Sequence, residues 1–215
     1  MIEGNPFIGM FARASESLAV ISLNAPDKFA AKVESTLACR VARLSVSSSN
    51  LVGLFCAINS RGAVLSCMAG RDEVAAFKKL GLAVEVLSGR LSAPGNNILC
   101  NDRAALINPS ATPAEARLVA DALGVEVIRR AVAGFNTVGS AGVATNKGLF
   151  VHGAATEEEL KDLEQIFHVH GAAGTANMGV PFVGLCVLAN ARGYVAGEAT
   201  SGFELARIDE AFGFV

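Results

Sequence analysis

The stretch VGSAGVATNKGLFVHGAATEEELKDLEQIFHVH, residues 138–170, contains the plan on which the rest of the chain is built. It opens on Val138-Gly139, crosses an apolar run, turns at Thr145-Asn146-Lys147 and returns through a second apolar run from Gly148. Polar turn formers between two apolar runs are a β-hairpin signature. Thr156-Glu157-Glu158-Glu159 follows, a capping box in which the hydroxyl accepts from the N3 amide and the Glu returns to the cap amide. Leu160, Leu163 and Phe167 then recur at helical spacing, and a short strand is expected around Val169. The unit reads hairpin, helix, strand.

The same order recurs five times. Ile8-Gly9, Val52-Gly53, Pro94-Gly95, Val138-Gly139 and Val183-Gly184 place glycines at spacings of 44, 42, 44 and 45 residues. Nine residues after each, Leu18, Gly62, Ala104, Gly148 and Gly193 fall at turn positions, most of them behind polar triplets such as Asn59-Ser60-Arg61, Asn101-Asp102-Arg103 and Asn190-Ala191-Arg192. The flanking runs are apolar on both faces, as in residues 54–58 and 63–65, which predicts strands buried between two layers. Thr112-Pro113-Ala114-Glu115 and Ser201-Gly202-Phe203-Glu204 repeat the capping box, with Pro113 at a first helical position that needs no donor. Weaker starts lie at Asn24-Ala25-Pro26-Asp27 and Gly70-Arg71-Asp72-Glu73, the first followed by Phe29, Val33 and Leu37 at helical spacing. Short strands are expected at 41–46, 84–87 and 125–128. The repeats run approximately over 1–48, 49–91, 92–135, 136–180 and 181–215, within a single expected domain.

Five such units cannot each bury a core alone, and an open row leaves two apolar ends that need caps, of which the sequence shows none. Closing the row removes both ends together with the exposed sheet edges. The expected fold is therefore α/β, a five-fold pseudosymmetric propeller closed into a ring, with strands inside and helices outside. Its five glycines gather at one end of the central axis. Met10, Leu54, Asn96, Ser140 and Leu185, their neighbours, line the same face.

Composition narrows the function. A chain of 215 residues buries roughly 70% of its unfolded surface and needs no staples. It is 52% apolar, yet no run of about 18 residues escapes Gly, Pro or charge, so no membrane span is expected. Residues 1–11 lack a basic start and an apolar stretch for export, which places the protein in the cytoplasm. Five cysteines without a C-x-x-C pair read as small, buried, reduced side chains. A net charge of −2 supplies no cationic field for free nucleic acid. Arg129-Arg130 and Lys78-Lys79 read as solvated faces. His168 and His170, at strand spacing, could join His152 around a metal, but conventional partner ligands are missing and they read as surface or interface histidines. Residues 171–174 lack the spacing and setting of a phosphate loop.

Several segments in order carry a family resemblance across nearly the whole chain: Leu91-Ser92-Ala93-Pro94-Gly95-Asn96, Cys100-Asn101-Asp102, Val125-Glu126-Val127, Val138-Gly139-Ser140, Thr145-Asn146-Lys147-Gly148, Gly174-Thr175-Ala176-Asn177 and Thr200-Ser201-Gly202-Phe203-Glu204-Leu205. The chain resembles the translation initiation factor 6 family, archaeal and eukaryotic anti-association factors of the large ribosomal subunit. The resemblance implies the pentein fold, a five-fold α/β propeller. It also implies binding to the intersubunit face of the large subunit, mainly through a ribosomal protein near the sarcin-ricin loop, with release by other factors. It implies a monomer with no catalytic residues, metal or cofactor. Gly9, Gly95 and Asn96 match family contact positions, and with Leu54 and Ser140 they form the expected ribosome-binding set; position 54 is Leu where a basic residue is expected from the family. Members often carry an extra strand before the first Ile-Gly that pairs in the fifth unit, and here a short strand from Met1 is expected to serve. The alternative is an amidino-group hydrolase or transferase of the same fold with a Cys nucleophile. Those enzymes carry that Cys close to the C-terminus, whereas the last Cys here, Cys186, is expected inside an apolar strand.

Overall fold

The computed structural model describes Ile2 and residues 4–215. Its elements fall into five groups of one pattern. In the first, strands β1 (Ala12–Ala14) and β2 (Leu18–Ser22) form an antiparallel hairpin, helix α1 (Asp27–Leu37) crosses over, and β3 (Arg40–Leu44) pairs parallel to β2. The second has β4 (Cys56–Ile58), β5 (Gly62–Ser66), α2 (Arg71–Lys79) and β6 (Ala83–Leu87). The third has β7 (Ile98–Cys100), β8 (Ala104–Ile107), α3 (Pro113–Leu123) and β9 (Glu126–Arg129). The fourth has β10 (Gly142–Ala144), β11 (Gly148–His152), α4 (Glu157–Phe167) and β12 (His170–Gly174). The fifth has the hairpin β13 (Val187–Asn190) and β14 (Gly193–Ala196), then α5 (Gly202–Phe212).

Hairpin, helix and strand thus occur in the expected order, with the third strands shifted by a residue or two. Two details differ. Leu18, Gly62, Ala104, Gly148 and Gly193 are not turn residues but the first residues of the second strands. Three of them are glycine because the next group's helix leaves no room: a Cβ at Gly62, Gly148 or Gly193 would overlap the backbone carbonyl oxygen of Ala122, Ala211 or Thr36 respectively. The fifth sheet has two strands among the described residues. Among the described residues the strand expected from Met1 is not formed, and Ile2 makes an isolated bridge to Asn5.

The sheets stay separate, and none closes on itself. What joins the groups is shared core. Each helix packs between its own sheet and the preceding one: α3 lays Val119, Ala122 and Leu123 against Ala57 and Val64 of the second group and Ala105 and Ile107 of the third. Phe77 lies with Leu18 and Val20, Leu163 and Phe167 with Leu99 and Leu106, and Ile208 and Phe212 with Phe150. The series continues from the last group to the first, because Phe29, Val33 and Leu37 of α1 pack with Leu188 and Val195. Burying a Phe or Leu side chain in this way contributes about 1.5–3 kcal/mol, so each junction is a core in its own right.

The hairpin turns add polar latches. Asn59 Nδ2 donates to the carbonyl oxygens of Leu123 (2.8 Å) and Asn101 (3.3 Å) in the next group. Asn101 repeats this with Thr145 and Phe167, both at 3.0 Å, and Asn190 with Leu37 (2.8 Å) and Glu16 (3.4 Å). A cation two residues on reinforces them. Arg61 donates to Gly124 O, Arg103 to His168 O and Arg192 to Leu37 O, while the Lys147 ammonium lies 4.3 Å from the centre of the Phe214 ring. Each of the three arginines therefore meets the C-terminal end of a neighbouring helix, where carbonyls are unpaired and the macrodipole is negative.

Candidate docking face

The five repeated glycines lie ahead of the strands and not within them. Each is the second residue of a one-turn helical segment just before the hairpin: Ile8–Met10, Val52–Phe55, Pro94–Asn97, Val138–Ala141 and Val183–Leu185. Their contacts run in a cycle. A Cβ at Gly53 would overlap the carbonyl oxygen of Gly9, at Gly95 that of Gly53, at Gly139 that of Gly95, at Gly184 that of Gly139, and at Gly9 that of Gly184. Glycine is required here by close backbone approach, and every turn is wedged against the next.

Around this crown Met10, Leu54, Asn96 and Leu185 are partly exposed, while Gly9, Gly95 and Ser140 are buried. Ser140 Oγ donates to Asn96 Oδ1 at 3.0 Å, across the junction of the third and fourth groups. Asn96 thus commits its acceptor to its neighbour. Its two amide N–H donors have no partner among the described residues.

Three glutamates, read from the sequence only as helix starts, do more. Glu204 accepts from Ser201 N (2.8 Å) as the capping box requires, and also from Gly179 N (2.8 Å), Met178 N (3.2 Å) and Thr175 Oγ1 (2.9 Å) in the loop that enters its group. Asn177 and Met178 take left-handed conformations there, which turns successive N–H groups towards the carboxylate. Burial pushes the Glu204 pKa up, but hydrogen bonds from Ser201, Gly179 and Thr175 outweigh it and bring it to about 2. Glu73 does the same for Ser45, Ser47 and Ser48, and its pKa is also lowered. At Thr156 the expected box is half formed: Thr156 Oγ1 accepts from Glu159 N, but the Glu159 carboxylate accepts from Ala133 N instead of returning to the cap.

A narrow axial cavity of about 50 Å³ lies between the first strands, lined by Arg13, Ile58, Cys100, Ala144 and Ala189 among others. Pockets that hold small molecules are typically about 300–1,000 Å³, so this one takes water rather than substrate. A larger groove of about 370 Å³ lies on the outer flank between α4 and β9, with Arg103, Glu126, Arg130, Asp162, Ile166 and His168 around it and no cysteine. Three of the cysteines are poor nucleophiles, and of these only Cys100 lines the axial cavity. Burial pushes the Cys56 and Cys100 thiols up to about 12, against a smaller opposing effect of Arg13, and Cys186 up to about 11. Cys186 precedes β13 and does not lie within it, and Cys67 is exposed and Cys100 half-buried, contrary to the expectation that all five are buried.

The histidines are not brought together on a strand. His168 is the left-handed residue that ends α4, His170 Nδ1 lies 2.8 Å from Glu164 Oε1, and His152 is buried between Phe135 and Phe182. Arg130 pairs with Asp162, and Arg129 donates to Ala111 O. No helix among the described residues is long and apolar enough to cross a membrane.

Comparison with known proteins agrees with the sequence resemblance. The family model described as the eIF-6 family matches residues 1–211. A protein named Translation initiation factor 6 from Methanosphaerula palustris is 40% identical over 213 residues, covering 99% of this chain and 96% of the relative. One of the same name from Pyrococcus horikoshii is 40% identical over 219 residues, with the same coverage, and one from Pyrobaculum arsenaticum is 38% identical over 212. Matched over nearly its whole length by that family model and by these relatives, the chain belongs to the eIF-6 family.

Proposed function

We propose that this protein binds the large ribosomal subunit through the glycine-crown face and, by occupying it, prevents the small subunit from joining. Family membership makes it a translation initiation factor and not an enzyme. The finer reading takes the five groups as one domain closed into a pentein ring, acting as a monomer in the cytoplasm. Its main contact is a ribosomal protein near the sarcin-ricin loop, and other factors release it. Two cycles of contact support the ring: the glycine turns and the helix-centred cores, both of which continue from the fifth group to the first.

The observation that carries the docking reading is the fixed surface around Asn96. Leu54 and Asn96 present partly exposed side chains, Gly9 and Gly95 set their height through backbone packing, and Ser140 orients Asn96. A surface fixed before contact loses little ordering entropy on docking. Subunit joining followed on sucrose gradients tests the blocking step. Addition of the protein should shift joined particles to free subunits in proportion to its occupancy of the large subunit; undiminished joining at saturating occupancy would refute it.

A further inference from the structure

The glycine crown encloses a charge. Arg13, in β1, reaches along the axial cavity and is the one charged side chain that lines it among the described residues. Its Nη1 donates to the carbonyl oxygens of Gly184 (2.9 Å) and Gly9 (3.2 Å), and its Nη2 to that of Gly95 (2.8 Å). These three carbonyls come from the fifth, first and third groups, so one guanidinium spans the axis. Each of the same oxygens is also the atom against which the next glycine packs.

We infer that Arg13 is a positioning residue for docking, a built-in cation whose place in the carbonyl crown sets where Asn96 stands. The inference rests on the docking role of that face. Carbonyl dipoles that converge on an axis repel one another unless a cation lies among them. A guanidinium suits the site because its donors are spread over a rigid plane and can serve several acceptors at once. The Gly95 carbonyl belongs to the peptide unit whose nitrogen is that of Asn96. Holding this oxygen therefore fixes the orientation of the Asn96 peptide, and Ser140 then fixes its side chain. Burial lowers the Arg13 pKa from its ordinary value, but an arginine stays protonated under such conditions, so the charge is permanent.

The test is chemical rescue. Arg13→Ala leaves a vacant crown of the right shape for free guanidinium. Thermal unfolding and cosedimentation with the large subunit are measured for wild type and variant, with and without millimolar guanidinium chloride, well below denaturing concentrations, and with urea as control. The expected result is a lower Tm and an affinity about tenfold weaker for the variant, both recovered by guanidinium and not by urea, with wild type unaffected. Affinity of Arg13→Ala equal to wild type, or a loss that guanidinium leaves unchanged, overturns the proposal. Should Arg13→Ala fail to fold, Arg13→Gln keeps part of the length and one amide donor group; it should bind more weakly than wild type, and equal affinity would count against the role. If wild type itself does not bind the subunit, the docking reading fails, while recovery of Tm by guanidinium still judges the crown.

Discussion

Asn96 and Gly139 show what single residues contribute. Asn96 keeps two amide donors for a partner and has its acceptor tied to Ser140. Asn96→Ala removes the acceptor of the buried Ser140 hydroxyl and should lower Tm by only a few degrees, the cost of about one hydrogen bond, while the fold is kept. It should weaken large-subunit binding by about 1–3 kcal/mol, the usual loss when a buried polar group is left unpaired. Cosedimentation at graded concentrations reads this directly, and unchanged affinity in a folded variant removes Asn96 from the contact. Gly139 is the opposite case. A Cβ there meets the carbonyl oxygens of both Gly95 and Ile98, which are backbone and cannot swing aside. Gly139→Ala should cost about 3 kcal/mol or more by overpacking, seen as a lower midpoint in urea; a midpoint equal to wild type would show that the turns are not wedged. The glycine spacing was legible in the sequence. The Asn96–Ser140 bond and the axial Arg13 were not, because both join residues from different repeats and neither belongs to a local motif.

Among the elements, the helix starts decide how one group is fastened to the next. Thr112 and Ser201 form the capping boxes expected from sequence. What sequence could not show is that Glu73 and Glu204 also hold a left-handed loop from the preceding group, since the amides involved lie 25 or more residues away. The folded-state pKa of Glu204, about 2, lies below the ordinary carboxylate value of 4.5. Its contribution to stability is therefore complete above about pH 4.5 and disappears as pH falls towards 2. Glu204→Gln keeps one acceptor oxygen but turns an NH2 either against the Ser201 and Met178 amides or against the Gly179 amide, and should destabilise the protein at pH 7 by about 2 kcal/mol. It should also flatten the fall in Tm between pH 4.5 and 2 relative to wild type. Parallel Tm–pH curves for the two proteins would show that the carboxylate is not what titrates. The polar triplets of the hairpins were likewise legible as turns. Their second task, in which Asn59, Asn101 and Asn190 reach the end of the next helix, depends on how the groups stack and leaves no mark in any one segment.

Taken as a whole, the molecule is five sheets made interdependent by five shared cores. The order of elements could be read from periodicity and caps, because a hairpin, a helix and a strand each have a local pattern. Fastening by helices and backbone wedges, with no continuous sheet, could not, since strand pairing between groups was the simpler way to remove edges. An open array tolerates loss of a terminal repeat, because each unit touches only its neighbours. Here the fifth group packs on both the fourth and the first. Removal of residues 181–215 should therefore abolish cooperative folding of the remainder, monitored by circular dichroism and urea titration. A stable four-group fragment with a sharp transition would contradict the proposed ring.

Docking on the large subunit is tested by cosedimentation of the purified protein with separated archaeal large and small subunits at low and high salt. Saturable binding to the large subunit alone is expected. Because the crown face offers amide and apolar groups and the chain carries a net charge of −2, affinity should fall by no more than about tenfold between the two salts, far less than the about 10³–10⁵ of a protein that makes many phosphate contacts. Binding to neither subunit, or equal binding to both with a steep loss in salt, would contradict it.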